Sequence, residues 1–277
     1  WLLLSDRLWQ LGPHKPLDLA KPLWTLDREA KSIAMDRNGN IWVGTAGYGL
    51  RRCAPRFTAF HTGVAGRSVW RLWRSPKGPY FWRADSDVFQ YDPLTGQAAS
   101  TQAFPELAGN WVRDLAFEAS GAFWLLAADK SERNQMLLCR YGSDRQLEKR
   151  HTLPIHDYDY ACFLRARDGA LWINGAGCQL TRFDPQSAQI AQYTYTHLFG
   201  EKGPTTQAFA IAEDGGGNLW IGTRQGLVQG KPNGQGMDFR LFQASAQDPE
   251  GLSHNNVSCL LPDPAQPDKI LWVGTKG

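Results

Sequence analysis

The segment Pro154-Ile155-His156-Asp157-Tyr158-Asp159-Tyr160 gathers an imidazole, two carboxylates and two phenol rings. Such a group suits a polar ligand, because a tyrosine ring stacks on an apolar sugar face while aspartates accept hydrogen bonds from hydroxyls. The competing reading is a solvated loop whose aspartates bond their own backbone in Asx turns. Asp157 with Asp159, or Asp85 with Asp87, would form an acid and base couple only at the separation a bound sugar imposes, which chain spacing does not supply. None of the six histidines, His14, His61, His151, His156, His197 and His254, has an i, i+4 histidine partner for a helical metal site or belongs to a nucleophile motif. The five cysteines, Cys53, Cys139, Cys162, Cys178 and Cys259, contain no C-x-x-C pair and read as small buried apolar residues. The expectation is a binding protein with no catalytic residue, no metal and no cofactor.

The elements that must position these residues are marked by tryptophan. Trp1, Trp42, Trp82, Trp124, Trp172, Trp220 and Trp272 recur every 40 to 52 residues, the period of a four-stranded propeller blade. The run Asp36-Arg37-Asn38-Gly39-Asn40-Ile41-Trp42-Val43-Gly44-Thr45 returns as Asp214-Gly215-Gly216-Gly217-Asn218-Leu219-Trp220-Ile221-Gly222-Thr223. Weaker copies surround Trp124 and Trp172. Gly39, Gly121, Gly169 and Gly217 stand three places before a Trp, where a hairpin turn asks for positive φ. Two strands flank each turn, as in Ser32 to Met35 with Ile41 to Val43. A third strand, such as Val88 to Tyr91 or Leu180 to Phe183, runs into an Asp-Pro turn. A fourth carries aromatics, as in Phe57 to Phe60, Ile190 to Tyr193 and Phe239 to Phe242. Helical solenoids of similar period need long amphipathic stretches, which 28 glycines and 16 prolines interrupt. The fold class expected is therefore all-β: a single β-propeller over residues 1–277 with about seven four-stranded blades, six full repeats plus a partial one. Each Trp fills the layer between neighbouring sheets.

Blade order then sorts the loops. Those after a Trp strand and those before the first strand of a blade open on one face. The first kind brings Tyr48, Asp85, Arg133 and Arg224; the second brings Arg67, His156, Tyr158, Asp159 and His254. These nine are the candidate ligand-binding residues. Arg67, Arg133 and Arg224 would fork onto a carboxylate or sulfate if the ligand is acidic. The Asp before each Gly turn, such as Asp36 or Asp214, is assigned to turn hydrogen bonding instead.

Composition narrows the partners. A formal charge of +3, from 30 Lys+Arg and 27 Asp+Glu scattered along the chain, offers no basic stripe for nucleic acid. No run approaches the roughly 18 apolar residues of a membrane helix. With no initiator Met, and ending inside a repeat at Trp272-Val273-Gly274-Thr275-Lys276-Gly277, the chain reads as a segment of a longer protein.

The repeat resembles the two-component regulator propeller repeat, whose pattern is an apolar strand, an acidic residue, a Gly turn, Leu/Ile-Trp-Ile/Val-Gly-Thr, then Gly-Leu and an aromatic-Asp-Pro turn. The likeness is strong at Trp42, Trp220 and Trp272, moderate at Trp172 and poor at Trp1, Trp82 and Trp124. It implies the periplasmic sensor region of an inner-membrane receptor, in which propellers precede an immunoglobulin-like module, a transmembrane helix and an output such as a histidine kinase. The implied role is non-catalytic sensing of an oligosaccharide or other small polar ligand. Implied partners are the adjacent propeller and immunoglobulin-like domains, and a second copy in a homodimer, with no nucleic acid or membrane contact by this segment. Two other classes stay open. A lyase or glycosidase at the channel mouth would show a strongly perturbed acid or His there, and a protein-binding scaffold would show a large exposed apolar patch.

Overall fold

A computed structural model describes the strands before residue 101 with few of their side chains, and then residues 104, 107, 110–129, 135–156, 161–234, 236–248, 251–263 and 266–276. Alternating apolar residues between Gly-rich turns produce short antiparallel strands throughout. Among the described residues, five four-stranded sheets follow one another. They are β4 to β7 (Ala30–Met35, Ile41–Thr45, Gly49–Cys53, Phe60–Val64) and β8 to β11 (Val69–Ser75, Gly78–Ala84, Asp87–Tyr91, Ala98–Ser100). Next come β12 to β15 (Trp111–Phe117, Phe123–Ala128, Gln135–Tyr141, Leu147–His156) and β16 to β19 (Cys162–Arg165, Leu171–Asn174, Gln179–Phe183, Ile190–Thr194). The last is β20 to β23 (Ala208–Glu213, Leu219–Thr223, Gly226–Pro232, Met237–Phe242). A three-stranded sheet precedes them, β1 to β3 (Leu2–Leu4, Arg7–Trp9, Trp24–Thr25), and a pair follows, β24 and β25 (Val257–Pro262, Leu271–Thr275). In every four-stranded sheet spatial order equals chain order, which is blade connectivity. Of the expected aromatic strand at Phe57 to Phe60, Phe60 begins β7 (Phe60–Val64), and residues 57–59 lie outside the described residues.

The turn glycines behave as their spacing requires: Gly121, Gly169 and Gly217 have φ of 91°, 88° and 80°. Gly39 lies outside the described residues. The first strand of five sheets carries one extra residue against the second, at Lys31, Trp70, Arg113, Phe209 and Ser258. Such bulges increase the local twist of a strand pair. The pair β16 and β17 runs in register without one.

The chain divides into two compact units, Trp1–Ser131 with Leu137–Thr152, and Glu132–Met136 with Leu153–Gly277. In the first, Phe123, Leu125 and Ala127 on one face of β13 pack with Val88, Phe104, Leu137 and Tyr141, and the Phe123 and Tyr141 rings stack at 5.1 Å. In the second, Cys162, Trp172 and Leu180 pack against Ala208, Leu219, Ile221 and Val228. Trp172 therefore fills the layer between the β16 to β19 and β20 to β23 sheets, 6% exposed. Trp124 is equally buried and Trp220 half-buried. Trp272, on the sheet with two described strands, is 39% exposed. Trp42 and Trp82 stand on β5 and β9 with side chains outside the description, as does all of Trp1. Cys139, Cys162 and Cys178 are buried as expected, whereas Cys259 is exposed. That cysteine stands just after the Ser258 bulge in a sheet of two described strands.

The Gly-Thr that follows Trp220 has a packing reason. A Cβ at Gly222 would stand 2.8 Å from Val257 Cγ1 and 2.9 Å from its carbonyl oxygen. Thr223, fully buried, donates its hydroxyl to the Gly226 carbonyl at 2.8 Å and accepts from the Gln225 N–H at 3.1 Å, closing the turn into β22.

Candidate functional site

Antiparallel order puts the connections after second strands and those before first strands at the same end of the sheets. In the second unit this end carries the 3-10 segments Ala176–Cys178 and Thr196–Thr205, the Arg224-Gln225 turn and the long connection into β24. Polar side chains tie these loops together. Buried Tyr195 donates its hydroxyl to Asn174 Oδ1 at 2.9 Å, and its N–H bonds the Cys178 carbonyl at 3.1 Å. Buried Thr206 donates to the Lys202 carbonyl at 2.8 Å and accepts from Gln225 Nε2 at 2.7 Å. Gln243 Nε2 reaches the Gln225 carbonyl at 2.9 Å, and the Arg224 N–H bonds the Gln207 carbonyl at 2.9 Å. The outcome is a cross-braced surface in which side chains and neighbouring loops satisfy several of the backbone polar groups.

Of the nine candidate residues, Arg224 and His254 are described with their side chains, and both are exposed. The Gln225 to Gln243 bond joins the turn bearing Arg224 to the connection that carries His254. His254 Nδ1 accepts the Asn256 N–H at 3.0 Å, which shapes the entry to β24. His156 ends β15, its side chain outside the description. Tyr48, Arg67, Asp85, Arg133, Tyr158 and Asp159 lie outside the described residues. Asn174, Tyr195, Thr206 and Gln225 escaped sequence reasoning. The available signal was Asn174-Gly175, standing where the strong repeats have Gly-Thr.

Electrostatics on this face are those of burial. Desolvation pushes the Cys178 thiol up to about 11, against a weaker opposing hydrogen bond with Thr206. Burial likewise raises Tyr195 well above the usual phenol value. Neither group is primed as a nucleophile near neutral pH. Among the described residues no group of three or more His, Cys, Asp or Glu side chains could hold a metal ion. No helix among them is long and apolar enough to cross a membrane.

At the opposite end of the sheets, the acids Glu118, Asp214 and Asp263 before three of the described turns do more than shape them. Asp214 Oδ1 accepts from the N–H groups of Gly216 and Asn218, both at 2.9 Å, while Oδ2 accepts the Trp220 indole N–H at 2.8 Å. Glu118 accepts the Trp124 indole at 3.0 Å and Arg140 Nε at 3.0 Å. Asp263 accepts the Trp272 indole at 3.1 Å. Acid, turn and tryptophan thus form one recurring hydrogen-bonded unit.

A comparison with known families finds two of the repeats. Residues 26–47 and 202–225 match the family model described as two component regulator propeller. The chain carries two-component regulator propeller repeats. Their matched stretches contain β4 with β5 and β20 with β21. No curated protein matches the chain significantly. Among solved structures, the chain resembles the extracellular domain of the one component system BT4673 from B. thetaiotaomicron (TM-score 0.68, 17% identity, covering 90% of this chain and 32% of that one). It also resembles the extracellular domain of the hybrid two component system BT3049 from the same organism (TM-score 0.52, 15% identity, covering 90% and 39%). Virginiamycin B lyase from Staphylococcus aureus is a further likeness (TM-score 0.63, 12% identity, covering 89% and 77%). At such identities these likenesses establish the fold, a β-propeller. The repeat-bearing chain spans about a third of the length of the first of these structures.

Proposed function

We propose that this chain is the ligand-sensing propeller of the extracytoplasmic, periplasmic part of a bacterial two-component receptor, and that it performs no chemistry itself. The observation that carries the reading is the two-component regulator propeller match in two separate blades. Two of the similar structures are extracellular domains, which supports the placement. Residues 1–277 form one propeller of the receptor, flanked by another propeller and an immunoglobulin-like module, and the receptor works as a homodimer. The ligand is an oligosaccharide or other small polar molecule held on the loop face by Tyr48, Arg67, Asp85, Arg133, His156, Tyr158, Asp159, Arg224 and His254. Cross-bracing of that face in the second unit favours recognition by a preformed surface, which avoids the cost of ordering loops on binding. Ligand then acts by favouring one arrangement of a rigid propeller against its neighbours. The likeness to a lyase is one of fold and brings no catalytic residues with it.

The test is a thermal-shift screen of the full chain with oligosaccharides. A ligand at a hundredfold its Kd stabilises by about 2.7 kcal/mol, which raises Tm by several degrees, and the double variant Arg224→Ala, His254→Ala should lose most of that shift. Oligosaccharides that leave Tm unchanged would remove the sugar assignment. Cleavage of the sugar during incubation would replace sensing with catalysis.

A further inference from the structure

Three of the four repeat tryptophans with described side chains, Trp124, Trp220 and Trp272, give their indole N–H to the acid before the turn. Trp172 is the exception. Where the Trp124 and Trp220 repeats have Glu118 and Asp214, its repeat has Ala166; Asp168, two residues further into the turn, bonds the Ala170 N–H at 2.8 Å and Arg182 Nη2 at 3.0 Å. Among the described residues the Trp172 indole N–H makes no hydrogen bond. At this departure from the repeat a groove of about 190 Å³ opens, lined among others by Trp172, Asp168, Arg182, Tyr193, Glu213 and Met237.

The groove lies within the second unit, where the layer between β16 to β19 and β20 to β23 meets the strand 1 to 2 and strand 3 to 4 turns. Its walls alternate in hydrogen-bonding character. The indole N–H and the Arg182 guanidinium donate; the Asp168 carboxylate, 56% exposed, accepts. Trp172 and Tyr193, with ring centroids 5.8 Å apart, and Met237 supply apolar surface. Formal charge balances, because Asp168 pairs with Arg182 at 3.0 Å and Glu213 faces Arg167 at 3.6 Å. A cation or an anion would meet a neutral wall and would have to break one of these pairs. A neutral polyol meets donors, acceptors and apolar faces together. Clefts for drug-sized ligands run to roughly 300–1,000 Å³, so this one admits a single ring and not an extended chain. Gly217 and Gly236 keep it open, since a Cβ at either would meet nothing nearer than Asn233 Oδ1, 3.9 Å from Gly236.

We infer that the groove beside Trp172 binds one neutral sugar ring, with the Trp172 indole N–H and Arg182 donating to its hydroxyls and Asp168 accepting from them. This site is at the opposite end of the sheets from the loop face and does not depend on the sensing role proposed above.

Saturation-transfer NMR on the full chain tests it with glucose, galactose, mannose and N-acetylglucosamine at millimolar concentration, and with glucuronate and choline as charged comparisons. One of the neutral sugars should bind and shift the indole resonance that disappears in Trp172→Phe. Gly236→Leu, placed in open space, should abolish binding while leaving Tm unchanged. Asp168→Asn, which keeps the acceptor for Ala170, should weaken it about tenfold, the loss of one charge-assisted hydrogen bond. The inference is overturned if no neutral sugar binds, if binding survives Gly236→Leu, or if only glucuronate or choline binds. Arg224→Ala with His254→Ala should leave this binding intact, so failure of the groove and failure of the loop-face reading are separate results.

Discussion

The Trp220 indole N–H donates to Asp214 Oδ2 at 2.8 Å, across the turn that Asp214 itself organises through Oδ1. One carboxylate therefore fixes both the hairpin and the aromatic residue that follows it. Six residues separate the two in chain, the same offset that links Glu118 to Trp124. At Trp272 the longer turn stretches the offset to nine.

Removing that carboxylate should be costly. Asp214→Ala leaves the Trp220 indole and two turn N–H groups without their acceptor, and one hydrogen bond to a charged group contributes about 1.5–3 kcal/mol net of water. A loss of about 2 kcal/mol in denaturant unfolding is expected; an unchanged midpoint would show the tie to be incidental.

The same carboxylate gives stability a pH dependence. Burial pushes the Asp214 carboxyl up, but bonds from the Asn218 side chain, the Trp220 indole and the turn N–H groups outweigh it and hold the pKa below the ordinary value. A folded-state pKa below the unfolded value of about 3.9 means its stabilisation is full above that pH and is lost as pH falls through the folded pKa. Urea titrations between pH 5 and pH 2 should show a smaller acid-side decline in Asp214→Ala than in the parent.

Two glycines should respond oppositely to alanine. Gly222→Ala drives a methyl into Val257 from 2.8 Å and should cost about 1–3 kcal/mol, as overpacking does. Gly236→Ala, whose nearest neighbour would stand at 3.9 Å, should stay within about 0.5 kcal/mol of the parent. Equal Tm values for the two variants would contradict the close approach of β21 to β24.

Cys178 should resist thiol reagents in the native protein. It is fully buried, and desolvation lifts its thiol to about 11, so little thiolate is present at pH 8. Iodoacetamide followed by peptide mass spectrometry should find it unmodified until denaturant is added; native labelling at a rate like that of a free thiol would refute this.

Much of the architecture was legible because it repeats. Period, turn glycines and strand pairs were readable at Trp42, Trp124, Trp172 and Trp220, since each blade must solve the same backbone problem with similar residues. The Gly-Thr after Trp220 was visible as a motif, while its reason, Val257 pressed against Gly222, joins residues 35 apart and has no local signature. The acid before the turn was read as a turn former. Its second role, holding the indole, required the strand pairing that brings carboxylate and ring to the same end of the sheet.

The candidate ligand residues were legible only as a set of loops sharing one face. Their selection used strand order, and strand order does not say which loop side chains converge. The bracing by Asn174, Tyr195, Thr206 and Gln225 links the end of one sheet to the start of the next, and each residue alone is an ordinary polar side chain.

Local chemistry thus determined the blade: apolar alternation made the strands, glycine at positive φ made the turns, and the Trp period counted the repeats. Tertiary packing decided what the blade does with its variations. The Trp172 repeat has Ala166 where the Trp220 repeat has Asp214, so its indole lacks that acceptor, and Asp168, two residues later, pairs with Arg182. The Asp168 pairing was not legible along the chain, because Arg182 comes beside the turn only through the pairing of Trp172 with Arg182 on β18, a cross-strand relation that exists only once the sheet has formed.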